Sequence, residues 1–242
     1  MDDLMNSDAG LDSRMFSSSL ALIASSHTAR CDSKYADPLV IEKLKRVRQA
    51  GCFELGEYLP EPFIKGIQPD YLDQATDDSV PVINTLAIRN LSVTQGDCKH
   101  IAREDFNDLS KDRRLVAGDV LLTVDGGVSI GKPCLFDMVG SYTIDSHVVV
   151  LRPQGLKPLA LVYLLASAFG QCQFRRAESG ASGQTTVTED DVRRFIFPRK
   201  LLSTIDTVAA RMEAERRRVV AARNVLDIEE ARIWAQLEKG WY

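Results

Sequence analysis

Cysteine is scarce in this 242-residue chain and odd in number: Cys31, Cys52, Cys98, Cys134 and Cys172, spread without paired spacing. That argues against a disulfide frame and for free thiols in a reducing, cytoplasmic setting. Long apolar runs are missing as well. The longest, Leu159–Phe169, is about half of the roughly 20 residues a bilayer needs, so no membrane span is expected. Leu20–Ala24 follows an acidic N-terminus, the wrong flank for a secretory signal. Nor is there an excess of positive charge. Thirty basic groups stand against 34 acidic ones, a net charge of −4. A basic coat that grips nucleic acid without regard to sequence is thereby excluded.

Catalytic signatures are lacking too. No GxSxG nucleophile turn occurs, and neither do the (N/D)PP(Y/F) and FxGxG-type signatures of amino-methyltransferases. Gly126-Gly-Val-Ser-Ile-Gly131-Lys132-Pro133 has the GxxxxGK spacing of a phosphate loop. Pro133 replaces the Ser or Thr that would bind Mg²⁺, and Pro133–Met138 reads as a strand where a helix is required. Pro69-Asp70 with Asp97-Cys98-Lys99 fits a loose nuclease pattern, but it puts Asp97 and Lys99 in a polar loop away from paired strands. Cys98 and His100 find no second pair at zinc spacing. His147, beside Asp145 and Ser146, reads as a structural strand histidine. No catalytic centre, metal or cofactor is expected, and the chain alone should hydrolyse nothing.

What is present is an ordinary globular balance of 45% apolar and 26% charged residues, enough to build a real core. Residues 1–29 read as a flexible tail, 30–200 as a domain, and 201–242 as a helical extension. Pro38–Ala50 has a helical apolar face (Leu39, Val40, Leu44, Val47) and ends at Gly51. Val80–Ile88, Asp119–Val124, Pro133–Met138 and Tyr142–Leu151 read as strands. Pro158–Phe174 reads as one helix, Gly180–Thr186 as a polar loop, Thr188-Glu-Asp-Asp191 as a capped helix start, and Phe195–Pro198 as a short strand.

Charge is segregated along the chain. Residues 151–200 carry eight basic and four acidic groups, the one net-positive stretch. Two glycine-rich loops stand out as places where backbone can approach a ligand. One presents Ser129 and Lys132. The other presents Ser182, Gln184, Thr185 and Thr186, preceded by Arg175 and Arg176. These are residue types that position phosphates and read base edges, although a plain solvated loop would carry them as well.

The last segment repeats apolar residues every seven positions: Ile205, Met212, Val219, Leu226 and Ile233. Neither Gly nor Pro interrupts Leu201–Lys239. The spacing predicts a helix of about 35 residues, roughly 50 Å long, with a coiled-coil seam for a second helix. A seam of this kind left uncovered would expose a long apolar stripe.

The order of these pieces resembles the specificity subunit of type I restriction–modification enzymes. Arg30–Pro38 is similar to the family's opening segment, and Phe53-Glu-Leu-Gly56-Glu-Tyr58 to its L-G-(D/E) start. Val80-Pro81-Val-Ile-Asn84 resembles its vPvi strand. Leu115–Thr123 with Ile130-Gly131-Lys132 resembles its GDvLlt…GxxGk hairpin, His147–Pro153 its hv-x-vLRP strand, and Gly183–Thr185 with Val192–Pro198 its closing stretch. The resemblance covers residues 30–238. It implies an α/β (α+β) target-recognition domain with a curved, partly barrel-like sheet and flanking helices, followed by a coiled-coil spacer helix. It implies a non-catalytic subunit that reads double-stranded DNA. Chemistry would belong to a DNA adenine methyltransferase and, in a complete assembly, to an ATP-dependent motor subunit. With one recognition domain and one spacer helix, the chain would act as a half-length form that dimerises through Ile205–Ile233. The alternative is a coiled-coil adaptor of a defence complex that binds protein only.

Overall fold

The computed structural model describes residues 32–89, 91–181 and 184–239, so the expected tail over 1–29 lies outside them. The first half of the chain holds α1 (Pro38–Gln49), β1 (Cys52–Glu54), β2 (Ile64–Lys65), β3 (Ser79–Ile83), β4 (Ile88–Arg89), β5 (Ser92–Val93), β6 (Lys99–Ala102) and α2 (Arg103–Asp108). Then come β7 (Val120–Thr123), β8 (Pro133–Leu135), β9 (Thr143–Ile144) and β10 (Val148–Leu151). The remainder is α3 (Pro158–Ala166), α4 (Ala168–Ala177), β11 (Ser179–Ala181), β12 (Gln184–Thr186), α5 (Glu189–Arg193), β13 (Ile196–Pro198) and α6 (Ile205–Lys239).

The centre is a four-stranded antiparallel sheet in the order β2-β10-β7-β8. Every residue of β7 and β10 is buried, because both faces of this sheet are covered. Val120, Leu122, Val149 and Leu151 pack with Leu161 and Leu165 of α3 in one apolar cluster. Leu121, Val148 and Val150 meet Cys134, Phe136 and Ile144 in a second. Unbroken apolar strands such as VLLT and VVVL suit a sheet with no wet side. Each fully buried Val or Leu contributes roughly 1.5–3 kcal/mol.

Two of the stretches that carry the family resemblance meet at one end of this sheet. Asp119 is 2% exposed. Its carboxylate accepts bonds from Arg152 Nε at 2.7 Å, Arg152 Nη2 at 3.0 Å and the Val116 amide at 3.0 Å. The Gly118-Asp119 turn and the Leu151-Arg152 strand end are therefore one interaction.

A second sheet, β6-β3-β9, is mixed, with β9 parallel to β3. Among the described residues there are also three two-stranded pairs, β1 with β13, β4 with β5 and β11 with β12. None of these sheets closes on itself, so the curved sheet the resemblance suggests is built of separate small pieces. Gln173, buried in α4, ties that helix to β13. It accepts from the Ile196 amide at 2.8 Å and donates to the Ile196 carbonyl at 3.0 Å.

Several elements differ from the sequence reading. Val80–Ile88 is two strands, because Asn84 is buried and turns the chain by accepting from the Leu86 and Ala87 amides. Tyr142–Leu151 is split between two sheets by a turn at Asp145, whose carboxylate accepts from the His147 amide at 3.0 Å. The helix expected over Pro158–Phe174 breaks at Ser167, whose hydroxyl caps α4 by accepting from the Gly170 amide. Within the expected loop Gly180–Thr186, Gly180 and Ala181 pair with Thr185 and Gln184 as parts of β11 and β12. The capping box at Thr188 and Asp191 forms as expected, and α5 starts directly after Thr188.

Helix α6 is 35 residues long. Ile205 and Ala209 are 7% and 1% exposed and belong to the main core. Ile205, expected in the seam for a second helix, is consumed by its own core. The exposed seam begins at Met212 and continues through Val219, Leu226 and Ile233, which are 50–68% exposed. No described helix is long and apolar enough to cross a membrane.

Candidate nucleic-acid interface

The antiparallel registers bring four strand ends to one rim of the central sheet. Thr123 lies opposite Val148, Lys65 opposite Val149, and Pro133 opposite Leu122. The rim therefore collects the end of β2, the loop after β7, the residue before β8 and the turn before β10. The loop after β7 is stitched in place from within. Thr123 Oγ1 donates to the Ser129 carbonyl and accepts from the Lys132 amide at 3.0 Å. Gln171 of α4 donates to the Gly131 carbonyl at 2.7 Å. Gly131 has φ +79°, and a Cβ there would lie 2.8 Å from the Phe174 ring, so a side chain is excluded on two counts. Lys132 is exposed and heads strand β8, which removes the phosphate-loop reading. Val128 stands at the loop tip, 97% exposed.

The β11–β12 hairpin docks directly on this loop. The Gly126 amide donates to the Thr185 carbonyl at 3.1 Å, and the Val187 amide to the Val124 carbonyl at 2.9 Å. Ser129, Lys132, Thr185 and Thr186, taken from two loops about 55 residues apart, thus share one rim. The other expected contact residues lie elsewhere or are only partly described. Arg175 is exposed on α4. Arg176 is engaged within the body: its Nε donates to the Tyr35 carbonyl at 3.0 Å, and its guanidinium lies 3.9 Å over the Tyr35 ring. Ser182 lies outside the described residues, and Gln184 contributes the first residue of β12.

The rim also holds groups that the sequence reading misses. Lys65 ends β2. Ser146 donates to the Gln68 side-chain carbonyl at 2.8 Å. His147, expected as a structural strand residue, precedes its strand and has a side chain 52% exposed. Between them sits Asp125, 4.0 Å from Lys65 Nζ and 3.9 Å from His147 Nδ1. Beneath the rim, burial holds the Asp145 carboxyl above its ordinary range, and the His147 amide and the cations nearby offset only part of that rise. A Cβ on Gly66 would lie 1.9 Å from the Asp145 carbonyl oxygen, so β2 reaches the rim only because residue 66 has no side chain.

Lys99, expected in a polar loop away from paired strands, begins β6 opposite Val82. Asp97 pairs with Arg89 at 3.2 Å, and Lys99 lies 4.1 Å over the Tyr71 ring. Among the described residues, no three His, Cys, Asp or Glu side chains converge as a metal site. Burial pushes the Cys98 thiol up to about 11 and the Cys134 thiol to about 12. Neither is a thiolate nucleophile near neutral pH.

No family model matches the sequence, and no curated protein matches it. Solved structures do. The S subunit of a type I restriction–modification system from M. genitalium matches with a TM-score of 0.50 and 13% identity, over 74% of this chain and 42% of that one. The HsdS subunit from Thermoanaerobacter tengcongensis matches with a TM-score of 0.44 and 16% identity, over 75% of this chain and 47% of that one. A chain from a type I R-M system described for its assembly and conformational transition matches with a TM-score of 0.42 and 16% identity, over 75% of this chain and 51% of that one. The chain spans about half the length of these structures or less. Its helix-and-sheet body with a long C-terminal helix has the fold of type I specificity subunits.

Proposed function

We propose that the chain is a DNA-recognition subunit of a type I restriction–modification assembly, non-catalytic in itself. The likeness of its fold to the M. genitalium S subunit carries this reading. The rim faces double-stranded DNA, with Gln184 and the Thr186 hydroxyl reading base edges and Lys132 holding a phosphate. The Thr185 hydroxyl is donated to Glu178, and Arg175, exposed on α4 away from the rim, holds a further phosphate. Adenine methylation and ATP-driven cleavage belong to partner subunits docked alongside. The acidic net charge makes the isolated chain a weak DNA binder, and a methyltransferase supplies the remaining grip.

Helix α6 pairs with α6 of a second copy. The pairing is antiparallel, a direction that charge supports. Residues 211–223 carry five arginines and two glutamates, whereas 227–239 carry four acidic and two basic groups. An antiparallel pair lays the basic half of each helix on the acidic half of the other.

Methylation mapping of genomic DNA with the methyltransferase partner present tests the rim. Gln184→Ala should change the sequence that is methylated, a base contact being worth about 1–3 kcal/mol. Lys132→Ala and Arg175→Ala should lower methylation at all sites without changing the motif. If all three variants keep both motif and level, the rim does not face DNA, and the protein-binding adaptor takes its place.

A further inference from the structure

Helix α6 leaves the body at a well-defined point, where one carboxylate accepts four bonds. Glu213 Oε1 accepts from Arg216 Nη2 and Arg217 Nε, each at 2.7 Å. Glu213 Oε2 accepts from Arg216 Nε at 2.7 Å and from the Tyr163 hydroxyl at 3.1 Å. Tyr163 belongs to α3. Arg217 reaches on to Asp137, beyond β8, at 3.3 Å. The helix is therefore held from two different elements of the body at the level of one turn. The side chains of Glu213 and Arg216 are 12% and 19% exposed. From Arg217 to Gln236 every side chain is exposed. Among the described residues the cluster is thus the last point of control over the direction of the helix.

Apolar packing alone would not hold that direction. Ile205 and Ala209 bury the first turns, but a greasy contact tolerates small rotations, whereas the Tyr163–Glu213 and Arg217–Asp137 contacts are directional. Arg216 and Arg217 of the same helix hold the Glu213 carboxylate in place to make the first of them. Burial and the Glu213 carboxylate push the Tyr163 phenol up to about 12, so it stays a donor at any physiological pH. Leverage makes the direction consequential. The 23 residues from Glu213 to Gln236 span about 35 Å at a 1.5 Å rise. A tilt of about ten degrees moves the far end by roughly 6 Å, close to two base-pair steps at about 3.4 Å each.

We infer that Glu213 is a positioning residue that sets the direction in which α6 leaves the body. In a pair of chains joined through α6 it thereby sets the separation of the two rims. The second half of this inference rests on the proposed function, and the first half does not.

The test is an intrachain distance in the full-length protein. Nitroxide labels are placed at Lys111→Cys on the body and Glu229→Cys on the helix, with Cys31 and Cys52 changed to serine. Labelled chains are diluted into an excess of unlabelled ones. The otherwise unchanged protein should give one narrow distance distribution by pulsed electron resonance. Glu213→Ala should at least double its width, and Glu213→Gln should fall between the two. Glu215→Ala, one step along the exposed side, should leave the width unchanged. Should Glu213→Ala fail to fold, Tyr163→Phe removes a single hydroxyl and should still broaden the distribution. An unchanged width in the folded Glu213→Ala or Tyr163→Phe protein overturns the inference. Methylation mapping reads the second half separately. A two-part motif with one spacer length should, in Glu213→Ala, admit spacers one or two base pairs longer or shorter. A spacer that stays fixed while the helix direction broadens refutes the link to rim separation. Absence of any methylated motif in the unchanged protein refutes the proposed function and leaves the distance result standing.

Discussion

Arg152→Ala should cost more stability than Asp119→Ala, although the two residues share one ion pair. The asymmetry comes from burial. Asp119 is 2% exposed, whereas the Arg152 side chain is 36% exposed. Without Arg152 the carboxylate stays buried with a single remaining donor, the Val116 amide. Such an uncompensated charge costs about 3–5 kcal/mol. Without Asp119 the guanidinium can turn to water and keep its 3.3 Å contact with the Asp112 carbonyl. The loss is then mainly the unpaired Val116 amide and the packing of one small side chain, about 1–3 kcal/mol. The double variant Asp119→Ala/Arg152→Ala carries no stranded charge, so it should be more stable than Arg152→Ala alone. Urea unfolding followed by far-ultraviolet circular dichroism reads all four proteins. A cost below about 1 kcal/mol for Arg152→Ala, or a double variant weaker than both single ones, would refute the reasoning. The pair sits at the end of β7 opposite the rim, so the folded variant, with the methyltransferase partner present, should direct methylation to the same motif.

Changing Val219 and Leu226 together to glutamate should turn a two-chain assembly into monomers by light scattering, and an unchanged mass would refute pairing through α6. Gly66→Ala should cost several kcal/mol in the same urea assay, because the added carbon meets backbone 1.9 Å away; a change under about 0.5 kcal/mol would show that the rim relaxes freely. Glu213 is held down to about 2, first by its bond from Arg216, then by Arg217 and Tyr163 against the opposing effect of burial. Its folded value lies below its unfolded value near 4.5, so its contribution is complete above that pH and is lost as pH falls toward 2. The stability gap between the unchanged chain and Glu213→Gln should accordingly be flat above about pH 5 and close on acidification. A gap that grows in acid would contradict this linkage.

Strands β7 and β10 are legible in the sequence because a sheet covered on both faces demands unbroken apolar runs, and VLLT and VVVL are such runs. Helix α6 is legible from its period, but the period also misleads at Ile205. One apolar stripe serves the core at its start and faces solvent afterwards, and a repeat cannot show where the body ends. The break at Ser167 is hidden because serine is tolerated inside a helix, and only its bond to the Gly170 amide reveals a cap. The β11–β12 hairpin reads as loop because Ser, Gly and Thr show no alternation of apolar and polar residues. At the candidate interface, glycine puts both loops on view, while their contact through the Thr185 and Val124 carbonyls is backbone chemistry with no side-chain signature. Arg175 and Arg176 are adjacent, and only the position of Tyr35 shows which of them turns inward. The β-branched run after His147 draws that residue into the strand on paper, yet it stands one residue outside.

The pairing of β1 with β13 joins Cys52 to Pro198, 146 residues apart. On a ribosome adding about 5–20 residues per second, β1 emerges roughly 7–30 s before its partner. For that interval Phe53 and Leu55, both buried in the finished protein, have no strand to close over them. Two residues that contact them, Phe195 through its carbonyl on the Leu55 amide and Phe197 through its ring on Phe53, are nearly the last of the body to be made. Closure of the β1–β13 pair is thus bound to the end of the body's synthesis, and α6 is made only after β13. A nascent chain cannot offer its helix in a fixed direction before its rim is built.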